Sequence, residues 1–306
     1  MSEFGLVIPT LNAGPWLDRL LPAIAAQTVA PSRFLVLDSE STDDTVERLT
    51  SVGAVVQTVP RGQFDHGGTR QLGVEALRDL PLLIFLTQDA IPADAHAFEQ
   101  ILSVFSDEKV ALAYGRQLPR PGAAAIEAHA RRYNYPEVGS IATRDDLTTA
   151  GIRAAFCSNS FSAYRTDVLM AMGGFPHNCI FGEDMIVALT MMEAGWSKAY
   201  VASAHVYHSH RYTISQEFRR NFDIGAMHQI NGVSRLGKTN GEGFRFVKSE
   251  LFYLIKQHPL LIPAALARTA SKLTGYFIGS KYKFMPNSVR RNIGLNKNYW
   301  SRPNSA

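Results

Sequence analysis

The 306-residue chain is 46% hydrophobic and 19% charged, which allows a sizeable core and excludes a disordered polyelectrolyte. Its two cysteines, Cys157 and Cys179, form neither a CxxC pair nor a disulfide framework, so two ordinary buried thiols in a reducing compartment are expected. The net charge of +4 hides an asymmetry: residues 241–306 carry 11 Lys/Arg against 2 Asp/Glu, so the rest is net acidic. A basic tail of this kind binds either nucleic acid or an anionic membrane surface.

The chain enters a strand pattern at Phe4 with no basic leader ahead of it, and no apolar run reaches about 18 residues. Neither a cleaved signal nor a spanning helix is therefore expected. Phe4 to Pro9 reads as a buried strand ending in the polar loop Thr10-Leu11-Asn12-Ala13-Gly14. Leu17, Leu20, Leu21 and Ile24 then recur at helical spacing. Phe34 to Leu37 is a second strand, closed by the acidic loop Asp38 to Thr45; a helix follows from about Asp43, and Ala54 to Val59 is a third strand. Alternation at this spacing implies parallel strands with right-handed crossovers. In such sheets ligands bind beyond the carboxyl ends of the strands, where the loops after Pro9 and Leu37 converge.

Next comes Arg61-Gly62-Gln63-Phe64-Asp65-His66-Gly67-Gly68-Thr69-Arg70. Its glycines, Gly68 among them, permit close backbone approach to a ligand, and Arg70 is expected to open a helix with its cation free for phosphate. Neither a Walker A pattern nor GxGxxG is present, which disfavours an ATPase or a dinucleotide site. Leu82 to Leu86 is a fully apolar central strand ending in Thr87-Gln88-Asp89-Ala90. Asp89 is placed either to hold a hard cation against phosphate oxygens or to cap the next helix.

Asp94 to Phe105 is expected to be helical and Val110 to Gly115 a strand. Residues 120–152 have weak periodicity and read as a lid or acceptor loop. Ala154 to Tyr164 is strand-like, with Asn159 and Ser160 available either to sugar hydroxyls or to a strand turn. Phe181-Gly182-Glu183-Asp184 then opens an apolar helix. Adjacent acids there either complement the helix dipole or present one carboxylate to a cleft as a general base. Tyr200 to Tyr207 is a late strand, and His208 and His210 beyond it point to one side, as structural histidines or as ligands of a phosphate-bound cation. The last third alternates apolar patches with Lys256, Arg268, Lys272, Lys281 and Lys283, interleaved with Phe252, Tyr253, Tyr276 and Phe277. That pattern favours helices on an anionic membrane surface over a plain helical subdomain or dimer interface. No nucleic-acid-binding motif accompanies it, so no nucleic-acid partner is expected.

The ordered set Ile8-Pro9-Thr10-Leu11-Asn12-Ala13-Gly14, Leu37 to Thr45, Phe64 to Arg70 with Leu86 to Ala90, and Phe181 to Asp184 resembles the inverting glycosyltransferases of family 2. The Asp-His-Gly-Gly-Thr-Arg and Thr-Gln-Asp-Ala versions look like those of bacterial rhamnosyltransferases. The resemblance covers roughly residues 4–212. It implies an α/β fold of the GT-A type: a Rossmann-like, mostly parallel sheet flanked by helices. A catalytic domain over residues 1–212 is then expected, with a helical, basic, membrane-proximal extension over residues 213–306.

The activity implied is transfer of a sugar from a nucleoside-diphosphate donor with inversion, assisted by Mg2+ or Mn2+. Pro9, Thr10 and Asn12 would lie by the base and ribose, with Asp38 and Ser39 closing that pocket; Ser39 stands where the family often has a second acid. Gly68 and Arg70 would meet the donor. The Asp-x-Asp metal motif is here Thr87-Gln88-Asp89, with Gln88 beside the donor and Asp89 the principal ligand, aided by His208 or His210. Asp184 would be the base and Glu183 its orienting neighbour. The Gln-x-x-Arg-Trp motif of processive synthases is absent, so addition of one or a few sugars is expected. The expected reaction moves L-rhamnose from dTDP-L-rhamnose to a lipid-linked saccharide in surface-polysaccharide assembly, at the cytoplasmic face of the cell membrane. The alternatives are another donor, such as UDP-GlcNAc or UDP-Gal, and a non-catalytic nucleotide-sugar-binding scaffold.

Overall fold

In the computed structural model, which describes residues 3–232 and 241–302, the chain opens with the expected alternation of strands and helices. β1 (Phe4–Thr10), α1 (Gly14–Ala25), β2 (Arg33–Asp38), α2 (Thr45–Ser51) and β3 (Val55–Thr58) are followed by α3 (His66–Ala76) and β4 (Leu82–Leu86). The middle of the chain adds β5 (Ile91–Pro92), α4 (Ala97–Ser103), β6 (Val110–Leu118), α5 (Ala125–Asn134), β7 (Ser140–Ala142) and α6 (Arg144–Ala150). β8 (Phe161–Arg165), α7 (Thr166–Ala171), α8 (Glu183–Glu193) and β9 (Ser197–Tyr207) complete the sheet region. The helices α9 (Ile214–Ile230), α10 (Glu242–Gln257), α11 (Ile262–Gly279), α12 (Asn287–Ile293) and α13 (Lys297–Trp300) follow.

The strands lie in the order β3-β2-β1-β4-β8-β6-β9-β5, with β7 also paired to β9. β1, β2, β3 and β4 are mutually parallel, as expected. β8 runs antiparallel between β4 and β6, and β5 and β7 are antiparallel to β9, so the whole sheet is mixed. Successive residues of β1 serve opposite faces: Leu6 and Ile8 pack with Leu17 and Phe98, Val7 with Phe85 and Phe175. All five residues of β4 are buried, which is why its sequence is uniformly apolar.

Three local expectations change. Asp65 caps α3, accepting from the amides of Gly67 and Gly68 at 2.9 and 3.1 Å, so the helix begins at His66 rather than at Arg70. Residues 120–152 contain α5, β7 and α6, the last started by a reciprocal Thr143–Asp146 capping box. The strand expected from Ala154 begins only at Phe161, because the backbone before it is turned toward α8: the Asn159 amide donates to Asp184.

The C-terminal helices are joined to this body by close packing. α9 and α11 approach until a Cβ added at Gly279 would stand 1.9 Å from the carbonyl oxygen of Phe222. Buried Asp223 receives the indole N–H of Trp300 at 2.8 Å and the amides of Leu295 and Asn296. Asn296 in turn donates to the Ile180 carbonyl at 2.6 Å, and Arg302 to Asp65 at 3.0 Å and Phe64 O at 2.8 Å. The end of the chain thus grips the loop that leads into α8. Gly279→Ala is expected to force α9 and α11 apart and destabilise the fold by about 1–3 kcal/mol. Urea unfolding with a wild-type midpoint would show that the two helices do not need this contact.

Candidate active site

The loops after β1, β2 and β4 meet, and their side chains hold one another. Asp38, almost fully buried, accepts from Thr10 Oγ1 at 2.8 Å and from the amide and hydroxyl of Ser41 at 2.8 and 2.6 Å. Asn12, in the left-handed region with φ +50°, accepts from the Thr42 amide while its own amide donates to Ser41 Oγ. Gln88 clamps the backbone of Leu11 from both sides, accepting from its N–H at 2.7 Å and donating to its carbonyl at 3.1 Å. Ser39 Oγ is buried with no hydrogen-bond partner among the described residues, a hydroxyl left over in this braced loop pair. Pro9 is half-buried at the end of β1.

Asp89, His208 and His210 form one cluster, with potential ligand atoms all within 4.8 Å of one another. The Asp89 carboxylate is 3.4 Å from His208 Nε2 and 3.8 Å from His210 Nδ1. Gln117 fixes the ring of His208. Its Oε1 receives Arg131 Nη1 at 2.6 Å, and a guanidinium only donates, so that atom is an acceptor for His208 Nδ1 at 2.8 Å as well. The proton of His208 therefore sits on Nδ1, and Nε2 turns a lone pair toward a carboxylate oxygen. Burial would raise Asp89, but the hydrogen bonds it receives outweigh this and hold the acid well below its ordinary range. Burial also lowers His208, and lowers His210 to about 3, so both rings are neutral at pH 7. An ionised carboxylate facing two neutral imidazoles, one oriented from behind by an amide, is a donor set that fits a divalent cation. Arg120 completes the electrostatics: Nη2 donates to Asp89 at 3.0 Å to the carboxylate and 2.7 Å to the carbonyl, and the guanidinium lies 4.2 Å over the ring of Trp16.

The second centre is at the start of α8. Gly182, at φ +79°, delivers Glu183 and Asp184 to the first turn. Glu183 is buried against Arg70 Nη1 at 3.0 Å and Asn159 Nδ2 at 3.0 Å. Burial pushes the Glu183 carboxyl up, yet Arg70 and His66 more than compensate and keep it ionised. Asp184 remains half-buried and accepts only backbone amides, from Asn159 at 3.0 Å and Met185 at 2.8 Å. Burial and the adjacent Glu183 charge raise it to about 7. Asn159 serves both acids and is itself fixed, its Oδ1 accepting from Ser162 and Tyr164 hydroxyls at 2.7 Å.

Thr10, Asn12, Asp38 and Ser39 lie together, and so do Asp89, His208 and His210, but three other residues have partners within the chain. Arg70 does not open α3. It lies one turn in, donates to the His66 carbonyl at 2.8 Å and is spent on Glu183. Gly68 faces His177 rather than a donor, and Gly67 beside it is so close to Pro176 that a Cβ would meet the carbonyl oxygen at 1.9 Å. Gln88 is occupied by the Leu11 backbone. Arg120, Gln117 and Arg131 have no counterpart among the expected site residues: the two arginines come from the weakly periodic segment and Gln117 from the end of β6, where nothing local marks a functional cation or amide. Of the two acids of α8, Asp184 is brought to a half-open position, and a carboxylate near neutrality there can take a proton from an incoming hydroxyl.

The family described as "Glycosyltransferase like family 2" matches residues 2–223. The chain is similar to the O-antigen chain rhamnosyltransferase WbaN of Salmonella anatum, 42% identical over 98% of this chain and 96% of that protein. It is equally similar to RfbN of Salmonella typhimurium, 42% identical over 97% and 95%. Among solved structures it is similar to Staphylococcus aureus TarS 1–349 in complex with UDP-GlcNAc, with TM-score 0.57 and 13% identity over 92% and 91% of the two chains. It is also similar to the mannosyltransferase PcManGT of Pyrobaculum calidifontis in complex with GDP-Man and Mn2+, with TM-score 0.57 and 16% identity over 98% and 85%. The structural likenesses carry the fold, GT-A, and the sequence matches carry the relationship: the chain belongs to family 2 of the glycosyltransferases.

Proposed function

We propose that this enzyme moves L-rhamnose from dTDP-L-rhamnose to a lipid-linked saccharide acceptor, with inversion, during assembly of a surface polysaccharide. The sugar rests on the 42% identity to two O-antigen rhamnosyltransferases across nearly the whole chain. The observation that carries the mechanism is the acid pair: Glu183 ionised against Arg70, and Asp184 half-open and raised to about 7. Asp184 takes the proton of the acceptor hydroxyl as that oxygen attacks the anomeric carbon. Asn159 holds the carboxylate from its backbone side and leaves the rest to the acceptor. The Thr10–Asp38 and Asn12–Thr42 contacts pre-form the base and ribose side, where Ser39 Oγ is available to the nucleotide. Asp89, His208 and His210 are the residues that would hold Mg2+ or Mn2+, which when bound supplies positive charge to the departing diphosphate. Arg120, already at this cluster, is the cation we assign to the diphosphate in place of Arg70.

The exposed face of α10 and α11 supports a membrane-peripheral location at the cytoplasmic side. Phe252, Ile255, Leu260, Phe277 and Phe284 are exposed, Leu260 to 92%. Lys256 and Lys281 sit 4.2 and 4.1 Å over the rings of Phe252 and Phe277. Apolar side chains with cations beside them match the boundary of an anionic bilayer. Among the described residues no helix is long and apolar enough to cross a membrane. We assign residues 213–306 to this membrane-proximal role and residues 1–212 to catalysis.

Asp184→Asn is expected to lower turnover by about 10²–10⁴-fold with donor affinity intact; near-wild-type turnover would remove Asp184 as the base. Because only the deprotonated form accepts a proton, wild-type kcat should rise with pH through about 7 and level off above it. A kcat that is flat from pH 5.5 to 8.5 would contradict this assignment. In thermal-shift assays with Mn2+, dTDP-L-rhamnose should stabilise the protein more than UDP-GlcNAc or UDP-Gal, and Arg120→Ala should reduce the shift. A larger shift with either UDP-sugar points to the other donor class. The full chain should float with vesicles of phosphatidylglycerol and phosphatidylethanolamine. Replacing Lys256, Lys281 and Lys283 by Glu should leave it in the bottom fraction, and flotation unaffected by these changes would exclude the anionic surface.

A further inference from the structure

The cation cluster lies beyond strand ends and the acid pair in the first turn of α8, yet hydrogen bonds linked through Ser158–Asn159 run between them. His208 Nδ1 donates to Gln117 Oε1 at 2.8 Å. The other end of the same amide, Nε2, donates to Ser158 Oγ at 2.9 Å. Ser158 precedes Asn159, whose backbone N–H and side-chain amide hold Asp184 and Glu183, each at 3.0 Å. Gln117 is 2% exposed, and the Arg131 guanidinium at 2.6 Å leaves its amide one orientation. A reversed amide would place its N–H group against the Arg131 guanidinium, which can only donate.

We infer that Gln117 is a positioning residue that holds both halves of the site. Its oxygen sets the tautomer and aim of His208, and its N–H group sets the turn that carries Asn159 and, through it, the two acids. This rests on the readings of His208 as a cation ligand and Asp184 as the base. A leucine or valine at 117 could fill the same space at the end of β6, so packing alone does not require an amide here. The link also gives the two centres a common mechanical reference. A shift of Gln117 moves His208 and Ser158 together, so the acceptor side keeps its distance from the leaving-group side. A misplacement of about 1 Å at such a site can cost on the order of 10²-fold in rate.

The test separates the two arms. Mn2+ affinity is measured by electron paramagnetic resonance of the free ion with no sugar nucleotide present, on the full chain. Gln117→Leu should weaken Mn2+ by about tenfold, the lower end of the range for losing a partner behind a ligating histidine. Gln117→Glu keeps an acceptor for His208 and Arg131 and should restore the affinity. Ser158→Ala removes the acid-side arm alone: it should leave Mn2+ affinity at the wild-type value and lower kcat on the order of tenfold with donor KM unchanged. Wild-type Mn2+ binding by folded Gln117→Leu, or wild-type kcat in Ser158→Ala, would overturn the inference. If Gln117→Leu fails to fold, Ser158→Ala still decides the acid-side arm and Gln117→Glu the other: a Glu variant that loses Mn2+ refutes it. Active Asp184→Asn enzyme would sink the base reading instead, while the Mn2+ measurements would still stand on their own.

Discussion

The buried pair of Glu183 and Arg70 is the contact on which the rest of the site depends. Two neighbouring carboxylates cannot both be taken out of water and stay ionised unless one has a cation. Arg70 takes that place for Glu183, with the Asn159 amide on the same oxygen, so the negative charge settles on the inner acid. Asp184 then titrates beside a fixed charge and under partial burial, which moves it to about 7. Glu183 therefore does more than orient its neighbour: its charge puts the proposed base, Asp184, near the pH at which a proton is most usefully exchanged. The same arrangement explains why α3 is built as it is. Its cap at Asp65 and the close seating of Gly67 on Pro176 set the helix pitch that carries Arg70 inward.

With Arg70 spent on the acids, the proposed contact to the diphosphate falls to another cation, and Arg120 stands beside Asp89. Its guanidinium is held by Asp89 on one side and lies over Trp16 on the other. Trp16 belongs to the first turn of α1 and Asp89 to the loop after β4, so Arg120 bridges two strand-end loops that also meet through Gln88 and Leu11. Gln88, the middle residue of Thr87-Gln88-Asp89, thus acts as a brace. One carboxylate was lost from the cation cluster, and two neutral imidazoles stand beside the remaining one.

Much of this was legible because the chemistry lay in local patterns. The parallel half of the sheet follows from apolar runs separated by polar loops, and β4 betrays its central place by having no polar residue. Asp89, His208 and His210 are legible because they lie in the short segments just beyond β4 and β9, where side chains converge whatever the sequence between. The misplacement of Arg70 has a specific cause. Asp-His-Gly-Gly-Thr-Arg was read from its glycines as a loop, whereas the aspartate at its head caps a helix that absorbs those glycines. Residues 120–152 were opaque because α5 and α6 are short and mostly polar, and their packing partners lie far away, as with His129 against Ser249 and Tyr253 on α10.

Gln117 and Asn159 show a deeper limit. Neither is charged, neither sits in a motif, and each acts by having two ends that point to different partners. An amide is legible in a sequence only as a polar residue; what it orients depends on which groups three-dimensional packing brings to its two ends. In this protein those ends meet a histidine and a serine at one amide, and a glutamate and two hydroxyls at the other. Both amides are buried with their hydrogen bonds satisfied, so turning either over would desolvate several polar groups at once at about 1–3 kcal/mol each. That penalty holds the acids and the imidazole in one arrangement before any substrate arrives, which is what a displacement between two bound sugars requires.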